Sequence, residues 1–324
     1  MAEVRLPLTA SRLAGAVWGH LIGDAMGVPY EFRPPAEVGQ VRWGAQGTHG
    51  RPSGTWSDDG ALMLALLDSL LPDPYAQPPR AGGFDTTDQG RRALAWADQG
   101  AYTPDGEGRF DIGGATSEAL SALRRGVPAE KAGADHERSQ SNGSLMRILP
   151  VALTAVEPEV KLPQLIERAH RASRVTHRHV SCEVACALYV VLARDLLRGD
   201  PDRPRVLDTA LKRLRTFYSA DEATGEPYRA ILDALEAWPA RQGRGGAFDS
   251  FWSAWDAFDA ADSYADTVKR AIRYGNDTDT TAAIAGGLAG LYWGLEGIPV
   301  EWLEGMRGGE VVRPLLGRLL AFRG

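Results

Sequence analysis

The sequence predicts an all-α protein folded as a single domain. Apolar residues recur at helical spacing in most long segments, and runs of alternating β-branched residues are almost absent. Ala and Leu outnumber Val and Ile in every long apolar stretch, which disfavours strands. No repeat with a period of roughly 20–50 residues and no low-complexity linker divides the chain, so residues 1–324 are read as one unit.

The elements follow in order. Ser11 to Gly27 reads as an amphipathic helix, with Leu13, Val17, Leu21 and Met26 close to one face. Gly15, Gly19, Gly23 and Gly27 recur at four-residue spacing in it, a pattern that suits close helix packing and not a dinucleotide fingerprint. Ala61 to Leu71 is almost wholly apolar and stops before Pro72, which predicts a buried helix. Further helices are expected at Thr116 to Arg125, Leu162 to Arg174, Val180 to Leu197, Val206 to Tyr218, Tyr228 to Ala237 and Thr281 to Leu295. Gly82-Gly83, Gly113-Gly114, Gly245-Gly246 and the prolines at 72, 74, 78 and 79 mark loops.

Composition narrows the function. A formal net charge of −6 with 24% charged residues offers no Lys/Arg-rich block, so no dedicated nucleic-acid surface is evident. No apolar run is long enough to cross a bilayer, and the first 20 residues lack the pattern of a secretory signal; a cytoplasmic protein is expected. Cys182 and Cys186, one helical turn apart in an apolar run, read as small buried hydrophobes.

Two acidic clusters carry the chemistry. Thr55-Trp56-Ser57-Asp58-Asp59 directly precedes the apolar helix beginning near Ala61; alone, it reads as an ordinary helix N-terminus. Asn276-Asp277-Thr278-Asp279-Thr280 precedes a second apolar helix and supplies more acid than a cap needs. If the two N-termini face each other, Ser57, Asp58 and Asp59 lie opposite Asp277, Asp279 and Thr280. Buried like carboxylates repel and call for a cation. Oxygen donors without sulfur or imidazole select Mg²⁺ or Mn²⁺, and four carboxylates carry enough charge for two divalent ions.

These blocks resemble the ADP-ribosylglycohydrolase family. In order they are Gly19 to Gly27 leading to Glu31-Phe32, Trp56 to Asp59, Asp111-Ile112-Gly113, Ser141 to Arg147, Thr176-His177 and Gly275 to Thr280. The resemblance runs from near Gly15 to near Gly297, with Ser57 where the family often has Thr and Gly60 where Thr is frequent. It implies an orthogonal multi-helix bundle and two divalent cations, Mg²⁺ or Mn²⁺, held by Ser57, Asp58, Asp59, Asp277, Asp279 and Thr280. It further implies Glu31 as the catalytic or gating carboxylate and Asp111 as a residue that contacts the acceptor or aids ribose ring opening. The partner is then an ADP-ribosylated protein or other acceptor, with ADP-ribose as product.

Asn142, Gly143 and Ser144 offer donors for a pyrophosphate nest. Arg147 is open to pairing with an acid or to ordering that loop, and the family's Thr-His position puts His177 near the distal ribose or phosphate. Tyr274 and Tyr102 are alternative adenine stackers, and acceptor specificity is expected in the loops around Asp111 and between Arg241 and Phe248. A non-catalytic, crystallin-like binder of ADP-ribose is the alternative within the family, and a metal-dependent nucleotide phosphohydrolase the alternative outside it.

Overall fold

The computed structural model describes residues 8–104, 109–155 and 159–323, apart from the side chains of 222–224; the first seven residues of the N-terminal signal reading lie outside them. Among these residues the chain forms sixteen α-helices, four of them the short segments Pro35–Val38 (α2), Ala129–Ala132 (α6), Leu149–Leu153 (α7) and Val300–Glu304 (α15). The long helices are Leu8–Gly27 (α1), Asp58–Leu70 (α3), Thr86–Gln99 (α4), Gly114–Arg124 (α5), Leu162–Arg174 (α8) and Val180–Leu197 (α9). They continue with Arg203–Tyr218 (α10), Glu222–Glu236 (α11), Ala247–Asp259 (α12), Tyr264–Arg273 (α13), Thr278–Trp293 (α14) and Gly309–Arg323 (α16). Pairing between extended segments is confined to three isolated bridges among the described residues, in keeping with the predicted fold class. None of these helices is long and apolar enough to cross a membrane.

Four long helices were not anticipated. Helices α4, α13 and α16 carry a polar face dense in Arg, Asp or Glu, and α12 mixes five large aromatics with three aspartates. Each packs one narrow face inward, and tertiary contact compensates for a diluted apolar pattern.

The centre belongs to helices that are apolar on all sides, α9 and α14, as expected for a helix without a solvent face. Cys182 and Cys186 are both buried as free thiols on α9, and burial pushes both up, Cys186 to about 11. Helix α1 lies along α14 at backbone contact. A Cβ on Gly15 would stand 2.4 Å from the Gly290 carbonyl oxygen, and one on Gly23 would stand 2.1 Å from that of Ala282. The predicted glycine stripe is therefore a packing surface, and it brings the C-terminal end of α1 against the first turn of α14. Thr278 Oγ1 donates to the Gly27 carbonyl at 2.8 Å and seals that junction.

Candidate metal centre

Three helix ends converge on one point. Asp24, fully buried near the end of α1, accepts from the backbone N–H of Ser57 at 2.9 Å and from that of Gly60 at 2.8 Å. This one carboxylate thereby satisfies two amides at the start of α3 and locks the N-terminus of α3 onto α1. Ser57 is the N-cap, its Oγ accepting from the Asp59 N–H at 3.3 Å, so Asp58 and Asp59 are not needed as caps. Asp277 occupies the N-cap position of α14 without making a side-chain cap bond. Both helices begin about three residues earlier than their apolar runs suggested, which places Asp58, Asp59, Asp279 and Thr280 inside their first turns, at the positive ends of the dipoles.

The two clusters meet. Asp59 Oδ2 accepts from Ser57 Oγ at 3.2 Å and from Thr280 Oγ1 at 3.4 Å, a direct link between the α3 and α14 termini. Carboxylate oxygens of Glu31, Asp277 and Asp279 lie within 4.8 Å of one another, and ligand atoms of Glu31, His49 and Asp111 form a second such group. The N-cap of α5 is Gly113, so capping is not the role of Asp111.

Seven carboxylates thus share one small volume, and none forms an ion pair with Lys or Arg among the described residues. Burial, reinforced by the mutual charges, pushes Asp58, Asp59 and Asp279 well above the usual carboxylate range. Burial raises Asp24 to about 7; burial together with Asp111, Asp277 and Asp24 raises Glu31 to about 9. Asp59 Oδ1 and Asp279 Oδ2 are buried with no hydrogen-bond partner among the described residues. An unpartnered buried carboxylate oxygen is costly, and a set of hard oxygen donors with excess negative charge fits a divalent cation.

The surrounding loops are held in uncommon backbone conformations. Phe32, Asp111 and Asn276 all have φ between 54° and 64°. Phe32 N–H donates to the Asn276 carbonyl at 2.6 Å and Asn276 N–H to the Arg33 carbonyl at 2.7 Å, tying the Glu31 loop to the Asp277 loop. A bulky residue in the left-handed region is held there by its surroundings, and such strain gathers at functional sites.

The expected ligand-binding loop is built differently from its side-chain reading. Asn142 Nδ2 donates to Asp277 Oδ2 and to Ser250 Oγ, both at 2.8 Å, so its side chain orients a carboxylate. Ser144 faces Ser173 and Cys186 in the interior. Arg147 finds no acid among the described residues; it donates to the Ala172 carbonyl and Thr176 Oγ1, which leaves it the loop-ordering role. His177, buried beneath Gly143, bonds Ser141 Oγ at 2.8 Å, while His179 caps α9. Of the two tyrosines, Tyr102 is committed to Asp68 and Arg92, and Tyr274 is half-buried. The Arg241–Phe248 loop borders the site through Gly243, whose carbonyl accepts from Asp277 N–H at 2.8 Å; residues 105–108 of the loop before Asp111 lie outside the described residues.

Sequence reasoning assigned no role to Asp24 or His49. A lone Asp in the apolar, glycine-rich first helix was a usable signal for the former. Nothing local marks His49, because its position depends on how its loop folds back over Glu31.

Comparison with known proteins shows the family. A family model described as ADP-ribosylglycohydrolase matches residues 6–323. An ADP-ribosylarginine hydrolase of Pseudomonas putida is 27% identical over 322 residues, covering 95% of this chain and 77% of the relative. The ADP-ribosyl-[dinitrogen reductase] glycohydrolase of Rhodospirillum rubrum is 26% identical over 342 residues, covering 98% of each. A solved structure titled an ADP-ribosylglycohydrolase-related protein complex superposes with a TM-score of 0.76 at 30% identity, over 98% of this chain and 100% of that one. The chain belongs to the ADP-ribosylglycohydrolase family of glycosidic-bond hydrolases.

Proposed function

We propose that the protein removes ADP-ribose from a modified acceptor in a reaction that depends on Mg²⁺ or Mn²⁺. The observation that carries this reading is the pair of buried, unpartnered oxygens, Asp59 Oδ1 and Asp279 Oδ2, on two helix termini joined by the Thr280–Asp59 contact. Ser57, Asp58, Asp59, Asp277, Asp279 and Thr280 would hold two cations; when bound, these supply positive charge for the ribose hydroxyls and acidify a water.

The protein's own groups supply the proton chemistry. Glu31 sits at the edge of the cluster, where its carboxylate takes a proton from the attacking water. Asp111, whose carboxylate lies within 4.8 Å of a ring nitrogen of His49, would hand a proton to the departing acceptor or to the ribose ring oxygen. The turn at Asn142-Gly143-Ser144, ordered from within by Arg147 and His177, would receive the pyrophosphate through its backbone. The names of the relatives, which speak of ADP-ribosylated arginine and of dinitrogen reductase, support a modified protein as the partner.

The test is an acceptor panel of ADP-ribosylated arginine peptide, serine peptide and nucleic acid, each with and without Mg²⁺ or Mn²⁺. Release of ADP-ribose that requires the cation is the expected result. Release of phosphate alone, or cation-independent release, would overturn the proposal.

A further inference from the structure

The segment carrying Glu31 is gripped by three consecutive residues of a distant loop. A Cβ on Gly47 would fall 1.7 Å from the Pro29 carbonyl oxygen, so the two backbones touch where only glycine fits. Thr48 Oγ1 donates to the Glu31 carbonyl at 2.6 Å. His49 Nε2 then contacts Glu31 Oε2, the one side-chain hydrogen bond that this carboxyl group makes among the described residues. The imidazole itself packs against two phenyl rings, with centroids 5.8 Å from Phe32 and 5.2 Å from Phe110. Phe110 immediately precedes Asp111 and carries the Arg51 guanidinium on its ring at 4.5 Å. One ring therefore joins the Glu31 and Asp111 loops.

Glu31 needs such a tether. Its neighbours Asp111, Asp277 and Asp24 all repel it, and its helical turn has ended, so repulsion would swing the side chain towards solvent. We propose that His49 is a positioning residue for Glu31, a clamp packed against Phe32 and Phe110 that keeps the carboxylate beside Asp277 and Asp279. The inference rests on the catalytic reading of Glu31 given above. It assigns His49 neither a metal nor a substrate contact. Its effect passes through Glu31 alone.

The experiment uses the full chain with Mn²⁺, ADP-ribosylated arginine peptide as substrate, and the variants His49→Phe, His49→Gln and Glu31→Gln. His49→Phe keeps the ring packing and removes the donor; kcat should fall about 10–100-fold, the usual loss when the partner of a site residue is removed, with KM and Mn²⁺ affinity by calorimetry unchanged. His49→Gln, whose amide reaches a similar point, should recover most of the loss. In the Glu31→Gln background, His49→Phe should cost nothing further, because coupled residues are non-additive. Equal losses in both backgrounds, or no loss in either, would overturn the proposal. Should the wild type cleave no member of the acceptor panel, the proposed function fails separately. Crystal structures of wild type and His49→Phe with Mn²⁺ then decide the clamp: a displaced Glu31 carboxylate supports it, and an unmoved one refutes it.

Discussion

Removing the cation should make the protein less stable as the pH rises from 6.5 to 8.5, opposite to the behaviour of the buried histidines at lower pH. The unfolded chain ionises its carboxylates near pH 4, so across this window it carries no carboxylic proton. The folded, metal-free protein still does, because Asp24 sits at about 7 and Glu31 at about 9. For a carboxyl group raised on folding, the native state holds the extra proton, and stability falls with pH until the folded value is passed. Glu31 releases part of its proton over the window and Asp24 nearly all of its remainder. Together they amount to a loss of about 3 kcal/mol. For a chain of 324 residues, that lowers Tm by roughly 4 °C.

A cation occupying the site replaces those protons, so saturating Mn²⁺ should flatten the pH dependence. It should also raise Tm more at pH 8.5 than at 6.5; an ion at a hundred times its Kd adds about 2.7 kcal/mol of stability. Differential scanning calorimetry in EDTA and in Mn²⁺ makes the comparison. A Tm in EDTA that stays level or climbs between pH 6.5 and 8.5 would refute the picture of an electrostatically frustrated carboxylate cluster.

Three further outcomes are expected. Asp279→Asn should abolish Mn²⁺ binding in titration calorimetry while raising the Tm of the metal-free protein, since it removes a carboxyl group whose ionisation burial and its acidic neighbours oppose; intact metal stoichiometry would take Asp279 out of the ligand set. Gly23→Ala should destabilise by about 1–3 kcal/mol or more in urea unfolding, because its Cβ would stand 2.1 Å from the Ala282 carbonyl oxygen; a neutral result would mean that α1 and α14 separate easily. His170, buried and bonded to Tyr218, is held at about 3 by burial, so the native state refuses a proton that the unfolded chain accepts below pH 6.5. Stability is lost on that account as the pH falls, and His170→Phe should reduce the slope between pH 6 and 4 by about 1.4 kcal/mol per pH unit; parallel curves for the two proteins would contradict it.

Much of this architecture was legible because it is local. Helical periodicity found the eight most apolar or clearly amphipathic long helices, and it passed over α4, α12, α13 and α16, whose apolar residues are diluted by charged or aromatic ones. The acidic residues stood out because the Asn276–Thr280 stretch carries more acid than a helix cap needs, which gave the Ser57–Asp59 stretch a counterpart. Side-chain direction was not legible. Asn142 and Ser144 read as donors for a ligand, whereas packing commits the first to Asp277 and turns the second into the interior.

By itself, then, the sequence determined the helical class, the two acidic helix starts and the glycine stripe, since each follows from residues near one another in the chain. Only the tertiary structure decided that Asp59 and Thr280, 221 positions apart, touch, that Asp24 binds one helix start to another, and that His49 clamps Glu31. Those contacts arise from the backbone-close packing of α1 on α14 and from loops folding across it, and a carboxylate's chemistry is set by the charges it meets in space.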